Sequence, residues 1–352
     1  MDTYRVFISY SHDDKEQVEK IVNVLDSNGL KPMWDQNFLY GQGFHEQIKN
    51  YIAHAHVFMP FITDASSQRG WVHQEIGYAM ALNVPVLPIT KDQIPGEMIQ
   101  QLLAVQLSEH SEILKKQLSK EVFAQLVERA QKTYKPLFEC AEYREDRTPM
   151  MIEYSTKIIE LGYYGEVLQK GGLTSFHIPN QPVSHPDWKL RYGRLFSEHR
   201  CMQQREERQI LEMHAKNCGC RLIINPYLTY KIYGREARKT RIRNLIEFLK
   251  SMESIDEKVK VAISKPKSKE HYLTIVGDWF AAESVSSTMG EGIRQTIFTR
   301  HAPSVRNRID LFDQEFNFLL EEQKDKGISS REYAINELKI LAGLEKNKDN
   351  RH

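Results

Sequence analysis

The first 90 residues alternate short apolar runs with amphipathic stretches, and this alternation restricts the fold more than any other feature of the chain. Such a pattern describes a parallel sheet covered by helices on both faces. Val6-Phe7-Ile8-Ser9-Tyr10 reads as the first strand, and the polar turn Ser11-His12-Asp13-Asp14 opens a helix whose Val18, Ile21, Val22 and Leu25 share one face until Asn28-Gly29 stops it. Lys31-Pro32-Met33-Trp34 is a short second strand ending at Asp35. A loop from Gln36 to Gly43 leads to a helix with Ile48, Tyr51 and Ile52 on its apolar side, and His56 to Ile62 is a third strand buried on both faces. A loop from Thr63 to Gly70 precedes a helix from Trp71 to Leu82. Val84 to Ile89 and Leu103 to Leu107 complete a five-stranded α/β sheet.

The remainder is long enough for a second domain, since 352 residues exceed the roughly 100–200 of one unit. Glu109 to Phe138 and Met150 to Gln169 look helical. Gly171 to Trp188, with Pro179, Pro182 and Pro186, has the composition of a linker. The expected division is a first domain at 1–135, a helical connector and linker at 136–190, and a second α/β domain at 191–345. Within the last, Glu206 to Asn217, Arg235 to Met252 and Ser304 to Glu322 read as helices; Arg221 to Ile224, Val259 to Ile263, His271 to Val276 and Gln295 to Thr299 read as strands.

Composition narrows the class further. With 41% hydrophobic and 27% charged residues the chain is not generally disordered, and a formal net charge of +1 selects no partner. Cys140, Cys201, Cys218 and Cys220 lack paired zinc spacing and read as reduced thiols. His54, His56 and His73 lack a partner at ligand spacing, so no metal is expected. No apolar run approaches the ~20 residues that cross a bilayer, and the start lacks the basic-then-apolar stretch of a secretory signal. A cytoplasmic location is expected.

In an open parallel sheet, reactive groups gather at the C-terminal ends of the strands. Tyr10-Ser11, Trp34-Asp35, the Thr63 to Gly70 loop and the Trp71 helix belong to that rim. Trp71 and Glu75, four apart, share a helix face and display an aromatic plane beside a carboxylate. That pairing suits a nucleotide with a cationic leaving group. Equally, Trp71 as a packing residue and Glu75 as a solvated carboxylate would satisfy the spacing, and Asp35 reads as a backbone cap as readily as a ligand contact.

Phe7-Ile8-Ser9-Tyr10-Ser11, Trp34-Asp35, Gly41 followed three residues later by Phe44, and Trp71-x-x-x-Glu75 together resemble the TIR family in order and spacing. The resemblance is close over the first 90 residues and fades by about 135. It implies a flavodoxin-like fold and, in the enzymatic branch, cleavage of the nicotinamide–ribose bond of NAD as substrate, with no cofactor. It further implies that Glu75 is catalytic, that Tyr10, Ser11, Trp34, Asp35, Phe44 and Trp71 contact substrate, and that Gly41 and Gly43 lie in a loop packing neighbouring copies together. The expected function is an NAD-cleaving effector, releasing ADP-ribose or a cyclic form on self-association, of the kind found in anti-phage defence. The alternative is a non-catalytic TIR–TIR interaction module.

In the second domain, His271-x-Leu273-x-x-x-x-Asp278 resembles the His-x-Lys-x-x-x-x-Asp strand of phospholipase D-type enzymes with leucine replacing lysine. The resemblance implies a phospholipase D-like half without phosphodiesterase activity, used for sensing or oligomerisation. Arg235, Arg238, Lys239, Arg241 and Arg243, with Arg294, Arg300, Arg306 and Arg308, either bind phosphate, in a nucleic acid or a nucleotide signal, or form solvated faces paired with Glu236 and Glu247. A nucleotide, nucleic-acid or protein trigger is the partner expected for this domain.

Overall fold

The structure, a computed structural model, describes residues 4–34, 44–63, 66, 70–91, 104–108, 110–133, 138–193, 196–227, 234–266, 271–286, 294–323 and 327–343. The chain divides into two compact units, residues 1–137 with 160–162, and 138–159 with 163–352.

The first unit is a parallel sheet of β1 (Arg5–Ser9), β2 (Lys31–Met33), β3 (Val57–Ile62), β4 (Ile89–Thr90) and β5 (Val105–Gln106), in the order β2-β1-β3-β4-β5. The pleat sends alternate residues to opposite faces. Val6 and Ile8, opposite Val57 and Met59, join the cluster built from Val18, Ile21 and Leu25 of helix Lys15–Ser27 and from Leu114, Phe123 and Val127 of helices Ser111–Gln117 and Lys120–Thr133. Phe7 faces the other way, stacked on Phe58 and on Tyr51 of helix Phe44–His54. The Lys15–Ser27 helix ends in a Schellman turn, with Leu30 N–H donating to Leu25 O at 3.0 Å and Gly29 N–H to Asp26 O at 3.0 Å. Gly29 supplies the positive φ of 72° that this turn requires.

The expected fourth strand is shorter than its apolar run. Only Ile89–Thr90 pairs as a strand, joined by a single bridge between Phe58 and Val86. Pro85 and Pro88 have no N–H to donate, so a continuous ladder cannot form through them.

The second unit contains β6 (Phe138–Ala141), β7 (Val167–Gly171), β8 (Cys220–Ile224), β9 (Val259–Ile263), β10 (Tyr272–Val276), β11 (Phe280–Ser286) and β12 (Arg294–Thr299), ordered β6-β12-β11-β10-β7-β8-β9. β7, β8 and β9 run parallel, while β7 to β10, β10 to β11, β11 to β12 and β12 to β6 are antiparallel. Leu168, Ile223, Ala262, Leu273 and Ile275 bury one face under Val305, Phe312, Phe316 and Leu319 of helix Ala302–Gln323. Helices Arg144–Glu160, Glu198–Cys218 and Gly234–Ser251 cover the other, where Tyr154 packs on Phe280 and Phe298.

This corrects the expected connector and linker at 136–190. β6 and β7 lie in that segment, and β7 sits inside the sheet between β10 and β8. The helix expected through Gln169 stops at Glu160, where Gly162 takes a φ of 79°, and Val167-Leu168 then divides between the two faces as strand residues do. The Pro-rich stretch is no linker either: every residue from 171 to 179 is buried, and helix Pro186–Tyr192 holds Trp188 at 0% exposure with its indole N–H on Gln181 O at 3.1 Å. Proline at a helix start costs no hydrogen bond, so Pro186 begins an element here.

Candidate functional site

The order β2-β1-β3 reverses the direction of winding, and in doubly wound sheets ligands enter beyond the strand ends at such a reversal. Ser9 closes β1 on the same face as Phe7 and is 6% exposed. On helix Gly70–Ala81, Val72, Ile76 and Ala79 form the stripe packed inward, and Glu75 lies within that stripe at 8% exposure. Ser9 Oγ donates to Glu75 Oε2 at 2.6 Å, joining residues 66 apart in sequence. Burial pushes the Glu75 carboxyl up to about 7, against the smaller opposing effect of the Ser9 hydrogen bond. At neutral pH the group is divided between acid and base forms, as proton-transfer residues are.

The surrounding strand exits are tied together. Thr63, after β3, donates through Oγ1 to Asp14 Oδ2 at 3.0 Å, and its N–H donates to Ser66 Oγ at 2.8 Å. Asp14 N–H in turn donates to Ser11 O at 2.8 Å. Ser11 is 3% exposed, and its hydroxyl has no hydrogen-bond partner among the described residues. A buried unpaired hydroxyl is costly to maintain and is suited to meeting an incoming polar group.

The expected site residues fall into separate places. Trp71 is half-buried one turn before Glu75. Tyr10 and Trp34 pack on each other, with ring centroids 6.2 Å apart, in the Val6–Ile8 cluster on the opposite face of the sheet from Ser9 and Glu75. The pleat turns Tyr10 away one residue after Ser9, so Tyr10 and Trp34 do not share a sheet face with Glu75. Asp35, Gly41 and Gly43 lie outside the described residues. Phe44 is described only as the first residue of its helix. Ser9 carries a contact that spacing does not reveal; its signal is a small polar residue that ends the apolar run Val6-Phe7-Ile8 in a fully buried strand. His56 Nδ1 accepts the Arg5 N–H at 2.8 Å and His54 O accepts Arg5 Nε–H at 2.8 Å, so both residues brace β1.

In the second unit His271 Nε2 lies 2.8 Å from Glu283 Oε1, and Glu283 also receives Arg308 Nε–H at 3.0 Å. His271 and then Arg308 hold the Glu283 carboxyl below its ordinary range despite burial. Leu273 is buried in the sheet core. Of the basic residues, Lys239 pairs with Glu236 at 3.5 Å, Arg243 with Asp187 at 2.5 Å and Arg300 with Glu139 at 3.1 Å; Arg238 donates to Pro226 O at 3.0 Å and Arg241 is fully buried. They do not form one solvated face. Among the described residues no group of three or more His, Cys, Asp or Glu could hold a metal ion, and no helix is long and apolar enough to cross a membrane.

The strand order, the two helical layers and the rim together define a doubly wound domain of flavodoxin-like topology. Residues 6–122 match the family model described as TIR domain, and this stretch of the chain is a TIR domain. No curated protein matches the chain. Among solved structures, TrmBL2, an archaeal chromatin protein whose structure shows a novel mode of DNA binding, is similar at 12% identity over 60% of this chain, with a TM-score of 0.28. The chain spans 62% of that protein's length, and at this score the likeness carries no argument.

Proposed function

We propose that the TIR domain cleaves NAD between nicotinamide and ribose, with Glu75 as the catalytic carboxylate. The observation that carries this reading is the buried Ser9–Glu75 pair at the sheet's reversal point, its carboxyl raised to about 7. In the reaction the ribose–nitrogen bond breaks, its electron pair leaves with nicotinamide, and the ribosyl cation is captured by water or by a nucleophile of the same ADP-ribose. A desolvated carboxylate stabilises such a cation strongly, since its field is screened little inside the protein. Ser9 orients the carboxylate, Ser11, whose hydroxyl is unpaired among the described residues, meets the ribose or phosphate, and Trp71 stands one helical turn before Glu75.

A TIR domain supports a role in signalling or NAD cleavage generally, and TIR domains commonly self-associate and bind NAD. The low exposure of Glu75 agrees with a chain that is silent alone and active in assemblies, as an NAD-consuming effector of anti-phage defence would be. The same low exposure favours the second reading, a non-catalytic TIR–TIR interaction module. For the second unit we propose a phospholipase D-like fold without phosphodiesterase chemistry, since Leu273 lies in the core and His271 is engaged by Glu283.

The test is incubation of the full chain with NAD across a wide concentration range, measuring nicotinamide, with Glu75→Gln alongside. Release that rises steeply with protein concentration and disappears in the variant supports the enzyme. No release at any concentration, or equal release by the variant, leaves the interaction module.

A further inference from the structure

The loop leaving β7 holds both non-glycine residues of positive φ among the described residues of the second unit. Gly171, Leu173 and Thr174 all have positive φ, at 152°, 65° and 57°. A β-branched residue in that region is a genuine outlier. The loop is held by charged side chains: Arg191 Nη1–H donates to His177 O at 3.2 Å, Arg208 donates to Ile178 O, and the His177 ring bonds Thr174 O. Phe176 stacks on Phe248 of helix Gly234–Ser251 at 3.8 Å between centroids, and Arg208 lies 6.0 Å from the same ring. Arg241, Asn244 and Phe248, three and four residues apart, present one face of that helix to the loop. Burial, followed by the charges of Arg191 and Arg241, holds His177 neutral, well below the ordinary histidine value.

Nearby buried carboxylates are already committed to cations. Glu207 pairs with Arg147 at 2.9 Å and accepts the Ser175 hydroxyl at 3.1 Å, Glu212 pairs with Lys216 at 2.8 Å and with Arg208 at 3.5 Å, and Asp187 pairs with Arg243 at 2.5 Å. Arg191, 2% exposed, has no carboxylate within ion-pair distance among the described residues, and its Nε–H has no acceptor. Among the described residues Asn244, at 0% exposure, has neither its amide nitrogen nor its amide oxygen paired, and the buried Thr174 hydroxyl has no partner. A buried guanidinium with no carboxylate beside it is costly even with the bond to His177 O, and unpaired buried amides add to that cost.

We propose that this cluster, at the C-terminal ends of the parallel strands β7 and β8, is a binding site for a small phosphate-bearing ligand. Arg191 supplies the countercharge and a planar fork of donors that matches a phosphate, and Arg241 reinforces it, while Arg208 is balanced by Glu212. Asn244 offers a donor and an acceptor to neutral groups beside that phosphate, and Thr174 adds a hydroxyl. The site shares Arg241 with the helix-start cluster read in the sequence but centres on Arg191, which precedes that helix by more than forty positions. It is also independent of NAD cleavage by Glu75.

The experiment is calorimetric titration of the full chain with inorganic phosphate, pyrophosphate, ATP and citrate, repeated on Arg191→Met and Asn244→Leu, with melting of each protein in the absence of ligand. The expected result is binding of at least one phosphate-bearing probe, weakened at least tenfold in both variants, with Asn244→Leu melting no lower than the parent. Absence of binding by all phosphate probes, binding of citrate alone, or unchanged affinity in both variants overturns the proposal. If Arg191→Met does not fold, Asn244→Leu decides alone: a lowered melting temperature with retained affinity means that the amide serves the fold.

Discussion

Replacing Glu75 by glutamine removes an ionisation that its surroundings oppose, and the magnitude follows from the pKa. The carboxyl rises from 4.5 in the free residue to about 7 in the folded chain. At about 1.4 kcal/mol per unit, ionising Glu75 at pH 8 costs the native state about 3 kcal/mol relative to the unfolded chain. Because the folded value is the higher one, the native state holds more protons between pH 4.5 and 7, and stability falls as pH rises through that window. Glutamine keeps the size and an oxygen that accepts the Ser9 hydroxyl. Glu75→Gln is therefore expected to stabilise the first unit by up to about 3 kcal/mol at pH 8, and by little near pH 4.5. Hydrogen exchange of β1 and β3 peptides across a denaturant series reads this unit separately from the second. Equal stabilisation at both pH values, or none at pH 8, would refute the account of a desolvated carboxylate.

Ser9→Ala removes the donor that opposes the upward shift, so the pH midpoint of nicotinamide release should move to higher pH and stability at pH 8 should fall by about 1 kcal/mol; a pH–rate profile and the same exchange series test both. His214 accepts Gly165 N–H at 3.1 Å and lies 3.0 Å from Ser155 O, and burial holds it below its ordinary pKa. The unfolded chain then takes up the proton first, so the second unit should lose stability as pH falls below about 6.5, a loss that denaturant melts should find reduced in His214→Gln. Gly219 has a φ of 91°, and an added Cβ would lie 2.4 Å from Lys258 O. Gly219→Ala should cost roughly 2 kcal/mol or more by denaturant unfolding, because backbone rather than a flexible side chain must yield.

Much of the first unit was legible in the chain itself. β1 was expected at Val6–Tyr10 and lies at Arg5–Ser9, while the helix expected at Trp71–Leu82 lies at Gly70–Ala81. Strands buried on both faces and amphipathic helices produce different periods, and turn residues separate them here. The second unit was harder. Val167-Leu168 is an apolar pair between Glu166 and Gln169, too short to separate helix from strand, and Phe280–Ser286 contains Ala281, Ala282 and Glu283, residues of low strand preference whose state is set by pairing with β10 and β12. Glu75 was singled out by its spacing from Trp71, but its hydrogen bond to Ser9 spans 66 residues and depends on the sheet being assembled. The division of Tyr10 from Ser9 follows from strand alternation, while that of Trp34 needs the pairing of Phe7 with Met33 as well.

The position of β7 and β6 in the second sheet also sets an order of events during synthesis. The first sheet is complete once Gln106 has emerged, and its strands join in parallel through local crossovers. In the second, β6 at Phe138–Ala141 must wait for β12 at Arg294–Thr299, and β7 lacks its antiparallel neighbour until Tyr272–Val276 is made. Domains fold as units from the N-terminus, and long-range pairings form slowly. A nascent or prematurely terminated chain therefore carries a finished TIR sheet beside a second unit with an exposed strand edge. Quality control of this protein must act on chains whose proposed catalytic half is already folded.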